Sequence, residues 1–129
     1  MDNGTSARAL LVDGANVVGS RPDGWWRDRA GAARRLHDRL TGAALPADRV
    51  LLVLEGRARP GVPEGRQGAV ETVHAPGEGD DEVVRRAAAL VAEGAEVTVV
   101  TADRGLVARL EAVGATTAGP GWLLGLIEG

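Results

Sequence analysis

Short runs of Val, Leu and Ala recur along the chain, each closed by a turn residue or an acid. Ala7–Val12, Val50–Leu54 and Glu96–Thr101 read as buried strands. Val70–Ala75 alternates only in part and reads as a weaker strand, and Ala115–Ala118 as a short fifth. Helical spacing fills the intervals. Asp28–Leu40 places Ala32, Ala33, Leu36 and Leu40 on one face, and Asp81–Glu93 does the same with Val84, Ala87, Ala88 and Val91. Leu106–Ala112 and Gly121–Ile127 read as shorter helices. Strands alternating with helices predict an α/β fold whose parallel strands are joined by right-handed crossovers.

Two stretches break the pattern. Gly14–Trp26, with Pro22 and Gly24, reads as a loop. Gly56–Gly68, with Pro60, Pro63 and four glycines, is too polar for core and reads as a mobile flap beside the sheet edge. Neither flank of either break could bury a core alone, and no internal repeat is visible. The 129 residues therefore read as one domain, residues 1–129.

Composition narrows the chemistry. Phe and Tyr are absent, so the core must be built from Val, Leu and Ala. With no Cys there is no disulfide, thiolate metal site or Cys nucleophile. No apolar run approaches the roughly 20 residues of a membrane span. The start, residues 1–7, is small and polar and unlike a signal peptide, which leads to the expectation of a cytoplasmic protein with no membrane partner. All 15 basic residues are Arg, a skew that base composition accounts for. The net charge of −3 speaks against non-specific coating of nucleic acid but allows an enzyme that grips a short stretch of RNA.

Open parallel sheets bind ligands beyond the carboxyl ends of their strands. Asp13 follows the first predicted strand, in the run Leu11-Val12-Asp13-Gly14-Ala15-Asn16, and Glu55 follows the second. Asp80, Asp81 and Glu82 come after the third, past Pro76 and Gly77, and Asp103 after the fourth. Each acid has an ordinary structural role open to it. Asp13-Gly14 suits a turn, Asp80 and Asp103 suit helix N-caps, and Asp81 and Glu82 suit a helix dipole. Together, however, converging carboxylates repel and raise one another's pKa, a penalty that a divalent cation removes. Oxygen donors without Cys, and with only two His, favour Mg²⁺ or Mn²⁺ over Zn²⁺. Asn16 adds an amide that can orient a carboxylate or a phosphate, or close an Asx turn.

The ordered set Val12-Asp13-Gly14-Ala15-Asn16, Gly79-Asp80-Asp81 and Val100-Thr101-Ala102-Asp103-Arg104 resembles the NYN branch of the PIN-like nuclease superfamily, especially the small bacterial YacP-like proteins. The resemblance covers nearly the whole chain. It implies a doubly wound open parallel sheet of strand order 3-2-1-4-5 with helices on both faces. It also implies metal-dependent endonucleolytic hydrolysis of RNA, leaving 5′-phosphate and 3′-hydroxyl ends. Carried over by position, Asp13, Asp80 and Asp103 are metal ligands, Asp81 is a further acid, and Asn16 assists at the scissile phosphate. The chain departs from the pattern at Glu55, where many relatives carry Asp, and at Gly105, where some carry an acid. The alternative is a degenerate PIN-like domain that holds RNA or a protein partner without cutting. A homodimer and an unidentified protein partner are left open.

RNA near an acidic pocket needs cations elsewhere. Arg21, Arg57 and Arg59 fall in the predicted flanking loops and are the expected phosphate contacts for a single strand. Trp25 is read either as a base-stacking residue or as packing, while Trp26 and Trp122 are read as packing helix onto sheet. Arg34, Arg35, Arg85 and Arg86 read as exposed helix faces. His37 and His74 lack partners at metal-ligand spacing and read as structural. A receiver domain needs a Lys that is absent here, and a haloacid-dehalogenase-type phosphatase needs an acid where Ala15 stands. A dinucleotide site is disfavoured because Gly77-Glu78-Gly79 leads into acids rather than a phosphate cradle.

Overall fold

The computed structural model describes residues 7–128, so of the polar start only Ala7 falls within the described residues. Six strands of the described residues form one sheet: β1 (Arg8–Asp13), β2 (Arg49–Leu54), β3 (Gly65–Gln67), β4 (Val70–His74), β5 (Glu96–Val100) and β6 (Thr116–Ala118). Their order is β3-β4-β2-β1-β5-β6. Five are parallel, in the doubly wound order expected from the resemblance, with β1 central. The short β3 adds an antiparallel edge beside β4, an element the sequence pattern does not show.

Among the described residues five α-helices cover the faces: α1 (Gly14–Gly19), α2 (Arg29–Gly42), α3 (Gly79–Ala92), α4 (Arg104–Ala112) and α5 (Pro120–Ile127). Because strand side chains alternate, β1, β2, β4 and β5 each feed two cores. Leu11, Leu51, Val53 and Val99 pack on one face with Val83, Ala87 and Leu90 of α3 and Leu106 and Leu110 of α4. Leu10, Val12, Leu52 and Leu54 pack on the other with Val17, Ala33, Leu36, Leu40 and α5 residues Leu123 and Leu124. Burial on both faces explains why the strands read as continuous apolar runs rather than as alternating ones.

Two stretches read as irregular are regular. The predicted loop Gly14–Trp26 opens with α1, because Asp13 caps it by accepting the Asn16 amide and Val17 is buried. Gly14 is required there: a Cβ would lie 2.7 Å from the Val53 carbonyl oxygen and 2.9 Å from Leu54 Cδ2. A short 3₁₀ turn, Trp25–Arg27, then leads into α2, which Asp28 caps through the Gly31 amide.

The predicted flap Gly56–Gly68 is likewise structured. It forms a 3₁₀ helix, Gly56–Gly61, and then β3. A Cβ on Gly61 would collide with the Ala30 carbonyl, so this helix lies directly on the start of α2. Val62 is buried in the core and Glu64 accepts the His74 amide at 2.8 Å. Of the glycines that suggested looseness, Gly61 allows close backbone contact, while Gly56, Gly65 and Gly68 supply positive φ.

No helix among the described residues is long and apolar enough to cross a membrane.

Candidate functional site

The carboxyl ends of β1, β2 and β5 lie side by side, with Asp13 opposite Val53 and Val12 opposite Val100. The acids that follow these strands are thereby gathered on one edge. Asp13 is the most enclosed, 5% exposed. Its Oδ2 accepts the Thr101 hydroxyl at 3.0 Å, and its Oδ1 faces the Asn16 amide at 3.5 Å. Burial raises the Asp13 pKa to about 6; the Thr101 and Asn16 hydrogen bonds oppose this, and the charges of Asp80 and Glu55 add to it. A carboxyl held in this range is what a cation or a proton would relieve.

Asp80 lies on the first turn of α3. Its pKa is raised by burial, then by Asp103 and Glu55, while Arg109 acts in the opposite sense. Asp80 is not the N-cap of α3, a role that falls to Glu78. Asp103 does cap α4, accepting the Leu106 amide at 3.0 Å. Glu55 accepts the Gly79 amide at 3.2 Å. The approach is close: a Cβ on Gly79 would stand 2.6 Å from Glu55 Oε1, and the Glu55 side chain would have to shift to admit it. Glu55 thus reaches from the end of β2 to the start of α3.

The other predicted residues are placed less centrally. Asp81 pairs with Arg109 at 2.9 Å. Asn16 is a strut whose Oδ1 accepts the Ala102 amide at 2.8 Å, tying α1 to the β5–α4 turn. Arg21 pairs with Glu128 at 2.8 Å. Arg59 donates to the Gly56 carbonyl at 3.2 Å and to that of Ala75 at 3.4 Å. Arg57 is exposed on the 3₁₀ helix.

Glu82 is buried, and both Arg85 and Arg86 donate to it. Its pKa is lowered because those bonds outweigh the opposing effect of burial. Arg85 and Arg86 are therefore partners of a buried acid as well as an outer helix face. His74 is structural, its Nε2 2.7 Å from the Val62 carbonyl oxygen, and His37 is buried in α2.

Two of the three tryptophans reverse the expectation. Trp26 and Trp122, read as packing residues, are 52% and 43% exposed. Trp122 sits on α5, which is anchored by Leu123 and Leu124, and no residue of the Trp25–Arg27 turn is fully buried. Trp25 is the half-buried one. Thr101 is the site residue that sequence reasoning missed. Its only signal was a hydroxyl at the end of an otherwise Val-rich strand.

The donor set fits a hard cation in kind, being all oxygen and electrostatically strained. In spacing it is not a finished cage: among the described residues no three His, Cys, Asp or Glu stand close enough to hold an ion. Coordination would need the side chains to draw together.

The sheet order and the helices on its two faces are those of a PIN-like α/β fold. No family model matches the chain, and no curated protein matches it in sequence. Among solved structures, a point mutant of Rae1 (YacP) from Bacillus subtilis aligns with a TM-score of 0.72. The match covers 94% of this chain and 75% of that one at 21% identity, a likeness of fold.

Proposed function

We propose that this protein is a Mg²⁺- or Mn²⁺-dependent endoribonuclease acting on single-stranded RNA in the cytoplasm. The observation that carries the reading is the placement of the buried Asp13 carboxyl, hydrogen-bonded to Thr101, on the same sheet edge as Glu55, Asp80 and Asp103. The likeness to Rae1 (YacP) supports the same reading at the level of fold.

Asp13, Asp80 and Asp103 would hold the cation, with Glu55 close enough to contribute charge. When bound, the cation supplies an activated water near neutral pH and neutralises charge on the phosphoryl oxygens. Thr101 fixes the Asp13 carboxylate in one orientation. Asn16 holds the β5–α4 turn against α1, which sets the position of Asp103, and its amide nitrogen, without a hydrogen bond among the described residues, would meet a phosphate. Arg57 is the best placed of the three predicted arginines for RNA, since Arg21 and Arg59 have protein partners.

A second reading is a shell that binds RNA without cleaving it. It is favoured by the wide spacing of the acids and by the capping bond of Asp103. Incubation of labelled single-stranded RNA with the protein, in Mn²⁺ or in chelator, separates the two. Cleavage in Mn²⁺ that is lost in chelator and in Asp13→Asn supports the enzyme. Retention of RNA without cleavage supports the shell.

A further inference from the structure

A cleft of about 270 Å³ lies beside the carboxylates and has no part in the reading above. Its lining includes Gly14, Val18, Trp25, Arg29, Leu54 and Glu55. Three features define what it would take. The first is size. The volume falls just below the roughly 300–1,000 Å³ of sites for drug-sized ligands, which suits one planar ring system.

The second is chemistry. The Arg29 guanidinium lies over the Trp25 indole, 5.3 Å from the ring centroid. Both groups stack on nucleobases, and the stack tolerates any base because each has a π-face. Trp25 is held for this purpose rather than free. Trp26 meets it edge-on at 6.0 Å, and a Cβ on Gly19 of α1 would stand 3.6 Å from its ring. Beyond Glu55 and Arg29, the cleft side chains named above are apolar; the Arg29 charge is shared with the Trp25 face, and the Glu55 carboxylate opposes entry of a phosphate.

The third is position. Gly14 follows Asp13 directly, and Glu55 reaches across to Gly79 at the start of α3. The cleft and the acidic edge therefore share a wall.

We propose that this cleft seats one nucleobase of the RNA strand whose phosphate lies at Asp13, with Trp25 and Arg29 as its stacking surface. The inference rests on the acidic edge being a phosphodiester site, but it is testable without cleavage. The three tryptophan indole N–H groups serve as separate NMR reporters in chelator. Adenosine 5′-monophosphate and uridine 5′-monophosphate should both shift the Trp25 indole and leave that of Trp122 unmoved. Ribose 5-phosphate should shift neither.

Trp25→Leu should weaken adenosine 5′-monophosphate binding, read from the Gly14 and Gly56 amides, by about 5- to 100-fold. Arg29→Ala keeps the indole and should weaken it less, and Trp122→Leu should change nothing. The proposal is overturned if ribose 5-phosphate shifts Trp25 as strongly as the nucleotides. It is also overturned if millimolar nucleotide leaves Trp25 still, or if both cleft variants bind as the parent does. A protein that cleaves no RNA yet binds nucleotide at Trp25 sustains the cleft and sinks the nuclease. An active nuclease whose KM for RNA is unchanged by Trp25→Leu and by Arg29→Ala does the reverse.

Discussion

Thr101 donates its hydroxyl to the buried carboxylate of Asp13 at 3.0 Å, joining two residues that are 88 positions apart in the chain. The same oxygen accepts the Asp103 amide at 3.3 Å. One hydroxyl therefore sets the geometry of two of the acids at the sheet edge.

Thr101→Val keeps the shape and removes the bond. It should raise the Asp13 pKa above about 6, because one of the groups that lowers it is gone. With Asp13 ionised, at pH 8, stability should fall by about 1.5–3 kcal/mol, the usual worth of a hydrogen bond to a charged group. Carboxyl NMR titration and urea unfolding read the two effects. Thr101→Ser should restore both, and an unmoved Asp13 titration would show that the hydroxyl does not govern it.

The pH dependence of stability follows from Asp13 with a fixed sign. Its pKa is about 6 in the folded state against 3.8 as the ordinary value, so the folded state binds more protons between these limits. Stability from this group falls as pH rises from about 4 to about 6 and stays low above, by about 3 kcal/mol. Asp80, also raised, acts in the same direction. Glu82, lowered by its arginines, acts oppositely and is lost as pH falls through the acid range. The difference between parent and Asp13→Asn isolates the first contribution. In metal-free buffer the variant should match the parent near pH 4 and exceed it at pH 7. Parallel pH profiles for the two proteins would contradict the raised pKa.

The parallel strands and main helices were legible in the sequence because each buries enough Val, Leu or Ala to leave a periodic trace. So was the order of acids along the sheet edge, since acids that end strands are visible without knowing the pairing. The short elements were not. Helix α1 has too few residues to show a period, and its start depends on a cap and on close packing of Gly14 against β2. The 3₁₀ helix Gly56–Gly61 and strand β3 are held by contacts with α2 and β4 that no local pattern encodes. The pairings of Asp81 with Arg109 and of Asn16 with the Ala102 amide are tertiary in the same way.

The 3₁₀ helix gives a packing test. At Gly61 a Cβ would meet Ala30 backbone, which cannot rotate aside, whereas at Gly42 it would meet nothing within 4 Å. Gly61→Ala should destabilise by about 1–3 kcal/mol, or more if α2 must shift. Gly42→Ala should be near neutral. Urea unfolding of the two variants compares them directly. A tolerant Gly61 would mean that the segment packs loosely after all, as its composition suggested.

The metal is the last point to test, and stability reads it independently of any RNA. A ligand that binds only the folded state stabilises by mass action, about 2.7 kcal/mol at a hundredfold excess over Kd. Millimolar Mn²⁺ or Mg²⁺ should therefore raise the Tm of the parent by several degrees, with most of the gain at pH 7 and above, where Asp13 is ionised. In chelator Asp13→Asn should melt above the parent, because the substitution removes a buried charge that Asp80 and Glu55 repel. The same variant should gain little from Mn²⁺ and should not cleave RNA. Asp23→Asn makes the same change in charge and should behave as the parent does in all three measurements, since Asp23 lines a separate cleft with Arg21, Arg35 and Arg39. Stabilisation by metal without cleavage of RNA would leave a cation-binding domain that is not a nuclease. If millimolar cation leaves the parent Tm unchanged, Asp13 and Asp103 are serving as helix caps alone, and the proposed hydrolysis fails with the metal.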